Sequence, residues 1–72
     1  MNGEIFVRVQ STSEVRVWLV HFDKYSRPCA VEPTDVDVTD AITIQMSRAV
    51  PAASEVLAAV RRYFGFSYRL SA

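Results

Sequence analysis

The sequence predicts a small α+β domain of order β-β-β-α-β, with one mixed sheet and a single helix packed on one face. Four segments have side-chain patterns with a period of two, which is typical of strands. One further segment has apolar residues at helical spacing. The chain has 72 residues, half of them hydrophobic, which is enough for one core. We therefore expect residues 1–72 to form a single domain.

Residues 4–10 and 15–22 are predicted to form a β-hairpin around the polar turn at residues 11–14. If all odd-numbered residues of the two strands share one face and all even-numbered residues share the other, the hairpin has two distinct faces. One face carries Ile5, Val7 and Val9 with Val15, Val17 and Leu19. The other carries Phe6 and Arg8 with Arg16, Trp18, Val20 and Phe22. Because the second face is aromatic and arginine-rich rather than polar, we expect the protein itself, a second subunit or a partner to cover it.

The middle of the chain is harder to interpret. Residues 23–34 contain Pro28 and Pro33 without a clear period and are predicted to form a loop. Residues 41–47 alternate β-branched and polar side chains and are predicted to form a strand, although a helix beginning after Asp40 also fits. Residues 36–38 are expected to form a short strand or a bent extension of that strand.

A helix is predicted over residues 52–64. Pro51 is suited to the first turn, because its missing N–H needs no partner there. Glu55 near the start and two arginines near the end complement the helix dipole. Gly65 is suited to the C-terminal cap. The apolar stripe of this helix is formed by Ala53, Val56, Leu57, Val60 and Phe64.

After the helix, Phe66, Tyr68 and Leu70 alternate with polar residues and predict a final strand. A strand, a crossover helix and a strand favour a right-handed parallel unit when the two strands are neighbours. A single helix covers about one face of a sheet of this size. The other face is therefore expected to meet water or a partner.

Composition argues against several classes of protein. Eight basic and eight acidic residues balance, which disfavours nucleic-acid binding driven by net positive charge. With Cys29 as the single cysteine, an intramolecular disulfide is impossible and a reducing compartment is the simpler setting. The N-terminus lacks the features of a signal peptide, and no apolar run is long enough to span a membrane. We expect a cytoplasmic protein that does not bind membranes.

The partner-binding site predicted from this parity consists of Phe6, Arg8, Arg16, Trp18 and Phe22. Trp, Phe and Arg are enriched at protein–protein hot spots, and Trp18 and Phe22 would serve as anchors. Aromatic rings interleaved with arginines also suit the stacking of single-stranded bases. No glycine–aromatic motif of RNA-binding domains accompanies them, which favours a protein partner.

Other groupings are weaker. His21, Asp23 and Cys29 have the residue types of a thiol–imidazole pair or a metal site, but no recognised ligand spacing. A stretch of acidic residues fits an exposed edge or a docking surface for a basic partner, but not a calcium loop. That stretch comprises Glu32, Asp35, Asp37 and Asp40. A possible secondary basic patch comprises Arg61, Arg62 and Arg69.

The sequence thus predicts a non-enzymatic accessory, regulatory or inhibitory protein that binds a protein partner or a second copy of itself. With only two glycines, a phosphate-binding loop is not expected. We expect no catalytic residues, no metal and no cofactor. The alternative is a single-stranded nucleic-acid-binding protein that uses the same aromatic face.

Overall fold

The computed structural model describes residues 3–36 and 38–65. They form strands β1 (Gly3–Gln10), β2 (Val15–Phe22), β3 (Pro28–Thr34) and β4 (Ile42–Gln45) and one helix, α1 (Ala53–Tyr63). The strands make one mixed sheet of order β3-β2-β1-β4, with the helix on one side. This confirms the predicted α+β class with one helix on one face. The described elements follow the order β-β-β-β-α. The predicted final strand lies outside the described residues.

The hairpin is confirmed. Strand β1 spans Gly3–Gln10 and strand β2 spans Val15–Phe22, and the two pair antiparallel along their whole length. The turn between them is closed by the Ser11 N–H, which donates to the Glu14 carbonyl at 2.9 Å. The hydroxyls of Ser11 and Ser13 both donate to the Ala49 carbonyl, at 2.9 and 2.6 Å. These bonds tie the turn to the segment that precedes the helix.

The loop prediction for residues 23–34 is wrong for most of its length. Strand β3 spans Pro28–Thr34 and pairs antiparallel with β2, with an irregularity at the Phe22 end. Its prolines conceal it in the sequence, because proline is tolerated in strands mainly at an edge or at the first position. The strand occupies a sheet edge and begins at Pro28. Only the turn before Pro28 is non-strand.

Strand β4 spans Ile42–Gln45 and pairs parallel with β1 at the other edge of the sheet. The strand prediction is confirmed here, and the helical alternative is wrong. Val36 and Val38, however, do not lie in a strand. They belong to the connection that crosses the sheet from the end of β3 to the start of β4, which we call the crossover segment (residues 35–41, of which Asp37 is not described).

The helix α1 spans Ala53–Tyr63, close to the predicted range. Its N-cap is Ala52, whose N–H donates to Glu55 Oε1 at 2.9 Å. This hydrogen bond, together with Arg48, lowers the pKa of Glu55. Gly65 follows the C-terminus with a φ of 76°, the left-handed conformation expected of a glycine cap.

The core lies between α1 and one face of the sheet. Val56, Ala59 and Val60 are the buried positions of the helix, whereas the predicted Ala53 is exposed. The sheet contributes Val7, Val9, Trp18, Val20 and Ile44. No helix within the described ranges has the length and hydrophobicity needed to cross a bilayer.

Candidate functional site

The register of the hairpin decides which side chains share a face. Val7 pairs with Trp18 and Phe6 pairs with Leu19, so even positions of β1 lie opposite odd positions of β2. Directly opposed residues project from the same face of an antiparallel pair. The prediction that Phe6, Arg8, Arg16, Trp18 and Phe22 share one face is therefore wrong. The structure divides them between two faces.

Three of the five lie on the helix side. Trp18 is only 6% exposed and belongs to the core. Phe22 packs edge-to-face on Phe64, with ring centroids 6.0 Å apart. Arg16 is exposed, and its Nε lies 3.8 Å from the Glu14 carboxylate. Trp18 and Phe22 thus stabilise the contact between the sheet and the helix.

Phe6 and Arg8 lie on the opposite side, which no described helix covers. We call this side the open face. Phe6 and its cross-strand partner Leu19 are both half-buried and form its apolar centre. The strand residues of the open face are Glu4, Phe6, Arg8, Gln10, Val15, Val17, Leu19, His21, Ala30, Glu32, Thr34, Thr43 and Gln45.

Arg8 holds the crossover segment against one part of the open face. Its guanidinium donates to the Val38 carbonyl and, at 3.5 Å, to the Thr43 hydroxyl. Because Arg8 projects from the open face, the crossover segment passes on that side of the sheet. Arg8 therefore has contacts within its own chain that sequence reasoning did not foresee. Phe6 lies two positions before Arg8 on the same face of β1.

His21 lies between two carboxylates at the other end of the open face. Its Nε2 is 2.9 Å from Glu32 Oε2 and its Nδ1 is 3.2 Å from Glu4 Oε2. The hydrogen bond to Glu32 and the negative charges of Glu4 and Glu32 raise the pKa of His21, while partial desolvation opposes them. Both ring nitrogens are thus engaged, and the imidazolium form is favoured.

This arrangement predicts a pH-dependent stability. The pKa of His21 in the folded protein lies above its ordinary value of 6.5. The stabilisation that protonated His21 gives the folded state is therefore complete below pH 6.5 and is lost as pH rises through the folded pKa. We expect the free energy of unfolding in urea to decrease between pH 5.5 and pH 7.5. His21 is the sole histidine of the chain, so His21→Gln should remove that slope. An unchanged slope in His21→Gln would contradict the assignment.

The structure places the predicted grouping of His21, Asp23 and Cys29 along one shallow groove. Their recorded contacts do not join the thiol to the imidazole. Cys29 Sγ lies 3.4 Å from the backbone carbonyl of His21, not from its ring. The Asp23 carboxylate accepts hydrogen bonds from the N–H groups of Arg27 and Tyr25, which lower its pKa. Among the residues described, no group of three potential ligands is placed to hold a metal ion.

The possible basic patch is only partly described. The Arg61 side chain donates to the Pro28 carbonyl at 3.1 Å and so joins α1 to β3. Arg62 is exposed, and Arg69 lies outside the described residues. Within the acidic stretch, Glu32 is exposed on the edge strand β3, as expected, while Asp35 and Asp40 are exposed on the crossover segment and not on a strand.

No family model, curated protein or solved structure matches this chain. The case for a function therefore depends on the open face itself. Sequence reasoning missed Glu4 and Leu19 as members of this face. The length of the turn contained the information that was needed to find them. A four-residue loop that pairs Gln10 with Val15 puts the even-numbered residues of β1 opposite the odd-numbered residues of β2.

Proposed function

We propose that the protein is a non-enzymatic interaction module that binds a protein partner on the open face. The observation that supports this most strongly is the Phe6–Leu19 pair, which forms an apolar centre on the side of the sheet opposite α1. Apolar surface surrounded by polar groups is typical of interaction sites. The proposed anchors are thus Phe6, which the sequence prediction already included, and Leu19, in place of Trp18 and Phe22, which pack toward the helix.

Several contacts favour binding over catalysis. The imidazole of His21 faces Glu4 and Glu32, and the thiol of Cys29 contacts a backbone carbonyl. A nucleophilic thiol needs a general base within hydrogen-bond reach. The described contacts provide no such base for Cys29. A small module of this kind acts by occupying the surface of another protein, as an accessory, regulatory or inhibitory subunit.

The nucleic-acid alternative has less support. Base stacking requires accessible ring faces, but Trp18 is almost fully buried and Phe22 packs on Phe64. Glu4 and Glu32 on the open face would also repel phosphates. The free, exposed thiol of Cys29 favours a reducing compartment, and we propose that the module works in the cytoplasm.

The test compares capture of partners by the immobilised wild-type chain and two variants. We expect Phe6→Thr to lower recovery of the specific partner at least about tenfold, because a central aromatic hot spot contributes about 2 kcal/mol or more. Thr retains the strand propensity of the position. The control Arg62→Gln alters an exposed residue of α1 and should leave recovery unchanged.

Equal recovery by the wild type and Phe6→Thr would refute the proposal. Loss of recovery in Arg62→Gln with retention in Phe6→Thr would instead assign binding to the helix. The two variants must first show the same cooperative unfolding as the wild type, with a loss of no more than about 1 kcal/mol for the half-buried Phe6.

A further inference from the structure

The ion pairs of this chain are distributed unevenly. On the helix side and in the turns, carboxylates lie beside arginines. Glu14 is 3.8 Å from Arg16, and Asp23 is 3.7 Å from Arg27. Glu55, at the start of α1, pairs with Arg48. These carboxylates are therefore largely neutralised within the chain.

Within residues 3–36 and 38–65, no arginine or lysine pairs with the carboxylates around the open face, and Glu4 and Glu32 share the single imidazole of His21. Asp35 and Asp40 are exposed on the crossover segment and make no ion pair within the described part of the chain. The one arginine or lysine on the described strands of this face, Arg8, donates to Val38 and Thr43.

Among the described residues, the open face and the crossover segment beside it carry four carboxylates (Glu4, Glu32, Asp35 and Asp40) and at most two cations, Arg8 and His21. The face therefore combines an apolar centre with a surplus of negative charge, although the whole chain has a formal net charge of zero. We propose that its occupant is a segment of a partner protein that carries lysine or arginine beside apolar side chains. This inference rests on the proposed function and names the chemistry of the partner. Apolar side chains would pack on Phe6 and Leu19 while the cations face the surrounding carboxylates.

A second copy of this chain fits the face less well. Two open faces packed together would place one surface with excess negative charge against another. Juxtaposed like charges at an interface are unfavourable. A basic segment avoids this repulsion, because its cations would face the carboxylates of the open face.

The test uses three fluorescein-labelled peptides of eight residues, measured by fluorescence anisotropy with the full chain at 50 mM NaCl and pH 7.5. In the first, lysine alternates with leucine; in the second, glutamate alternates with leucine; in the third, lysine alternates with serine. We expect the lysine–leucine peptide to bind at least tenfold more tightly than either of the others. Its affinity should also decrease at 200 mM NaCl.

Matched variants identify the carboxylates involved. The double variant Glu4→Gln/Glu32→Gln should weaken binding of the lysine–leucine peptide about three- to tenfold, as expected for losing two exposed ion pairs. Glu14→Gln removes a carboxylate that already lies beside Arg16 and should leave the affinity unchanged. Equal effects of these variants would overturn the inference.

Equal affinity for the glutamate–leucine peptide, or for the lysine–serine peptide, would also overturn it. A different result would refute the proposed function itself: binding of the lysine–leucine peptide to Phe6→Thr as tightly as to the wild type. An acidic partner whose capture depends on Phe6 would leave the proposed function intact and refute this inference.

Two further outcomes count against an external basic partner. One is a dimer by light scattering that becomes a monomer in Phe6→Thr, because a second copy would then occupy the face. The other concerns residues 66–72, which combine aromatic and apolar residues with Arg69. If the triple variant Phe66→Ser/Tyr68→Ser/Leu70→Ser gains tenfold in peptide affinity, the chain itself competes for the face. Unchanged affinity in that variant supports the proposal.

Discussion

Val56→Asp is expected to abolish folding. Val56 is fully buried near the start of α1 and packs in one core with residues of the sheet. An aspartate there would place a carboxylate in an apolar environment without a partner, at a cost of several kcal/mol. A domain of this size has a total stability of only about 4–11 kcal/mol. We expect no cooperative thermal transition and a loss of helical circular dichroism at 25 °C.

The matched control is Ala58→Asp, two positions further along the same helix. Ala58 is exposed, so its substitution costs about the difference in helix propensity, under 1 kcal/mol. Comparing the two variants separates the cost of burying a carboxylate from the cost of introducing aspartate into a helix. If Val56→Asp unfolded at the same temperature as Ala58→Asp, the packing of α1 on the sheet would be wrong.

Trp18→Ala is expected to lower the free energy of unfolding by about 3–5 kcal/mol, the usual cost of truncating a buried aromatic residue to alanine. The physical reason is the loss of apolar contacts together with the cavity that remains beneath α1. Urea denaturation measures the loss directly. Because Trp18 is the chain's single tryptophan and is 6% exposed, its emission in the folded wild type should be blue-shifted and weakly quenched by iodide.

Phe6→Ala is the control for this prediction, since Phe6 is an aromatic residue in the same hairpin but on the open face. We expect it to cost about 1 kcal/mol, because its side chain is only half-buried. Comparing the loss of unfolding free energy in the two variants thus tests the hairpin register in solution. A larger loss for Phe6→Ala than for Trp18→Ala would mean that the aromatic residues of β2 lie on the accessible side.

The elements that follow local patterns were predictable. Alternation specifies β1, β2 and β4, and helical spacing with Gly65 specifies α1, within one or two residues of the observed ends. Strand β3 was not predictable in this way. Its prolines and exposed positions follow no clear alternation, and it is a strand because its backbone pairs with the exposed edge of β2. Tertiary pairing overrides local preference there.

The candidate site was half predictable. The alternation within each strand correctly put Phe6 and Arg8 on the face opposite to Val7, and Trp18 on the face opposite to Leu19. The wrong step was to join the even positions of both strands into one face. A shift of one residue in register transfers every side chain of a strand to the other face. That single choice moved Trp18 and Phe22 from the core to a supposed binding surface.

The sequence by itself determined which residues alternate, where the helix lies and that the charges sum to zero. Only the tertiary structure decided which two alternations share a face and where the charges collect. Glu4 and Glu32 are distant in sequence, and they share the open face because β1 and β3 both pair with β2. The crossover segment joins them there because Arg8 donates to the Val38 carbonyl. Side-chain direction is a local property of the backbone, whereas register and crossover path are set by contacts between distant segments.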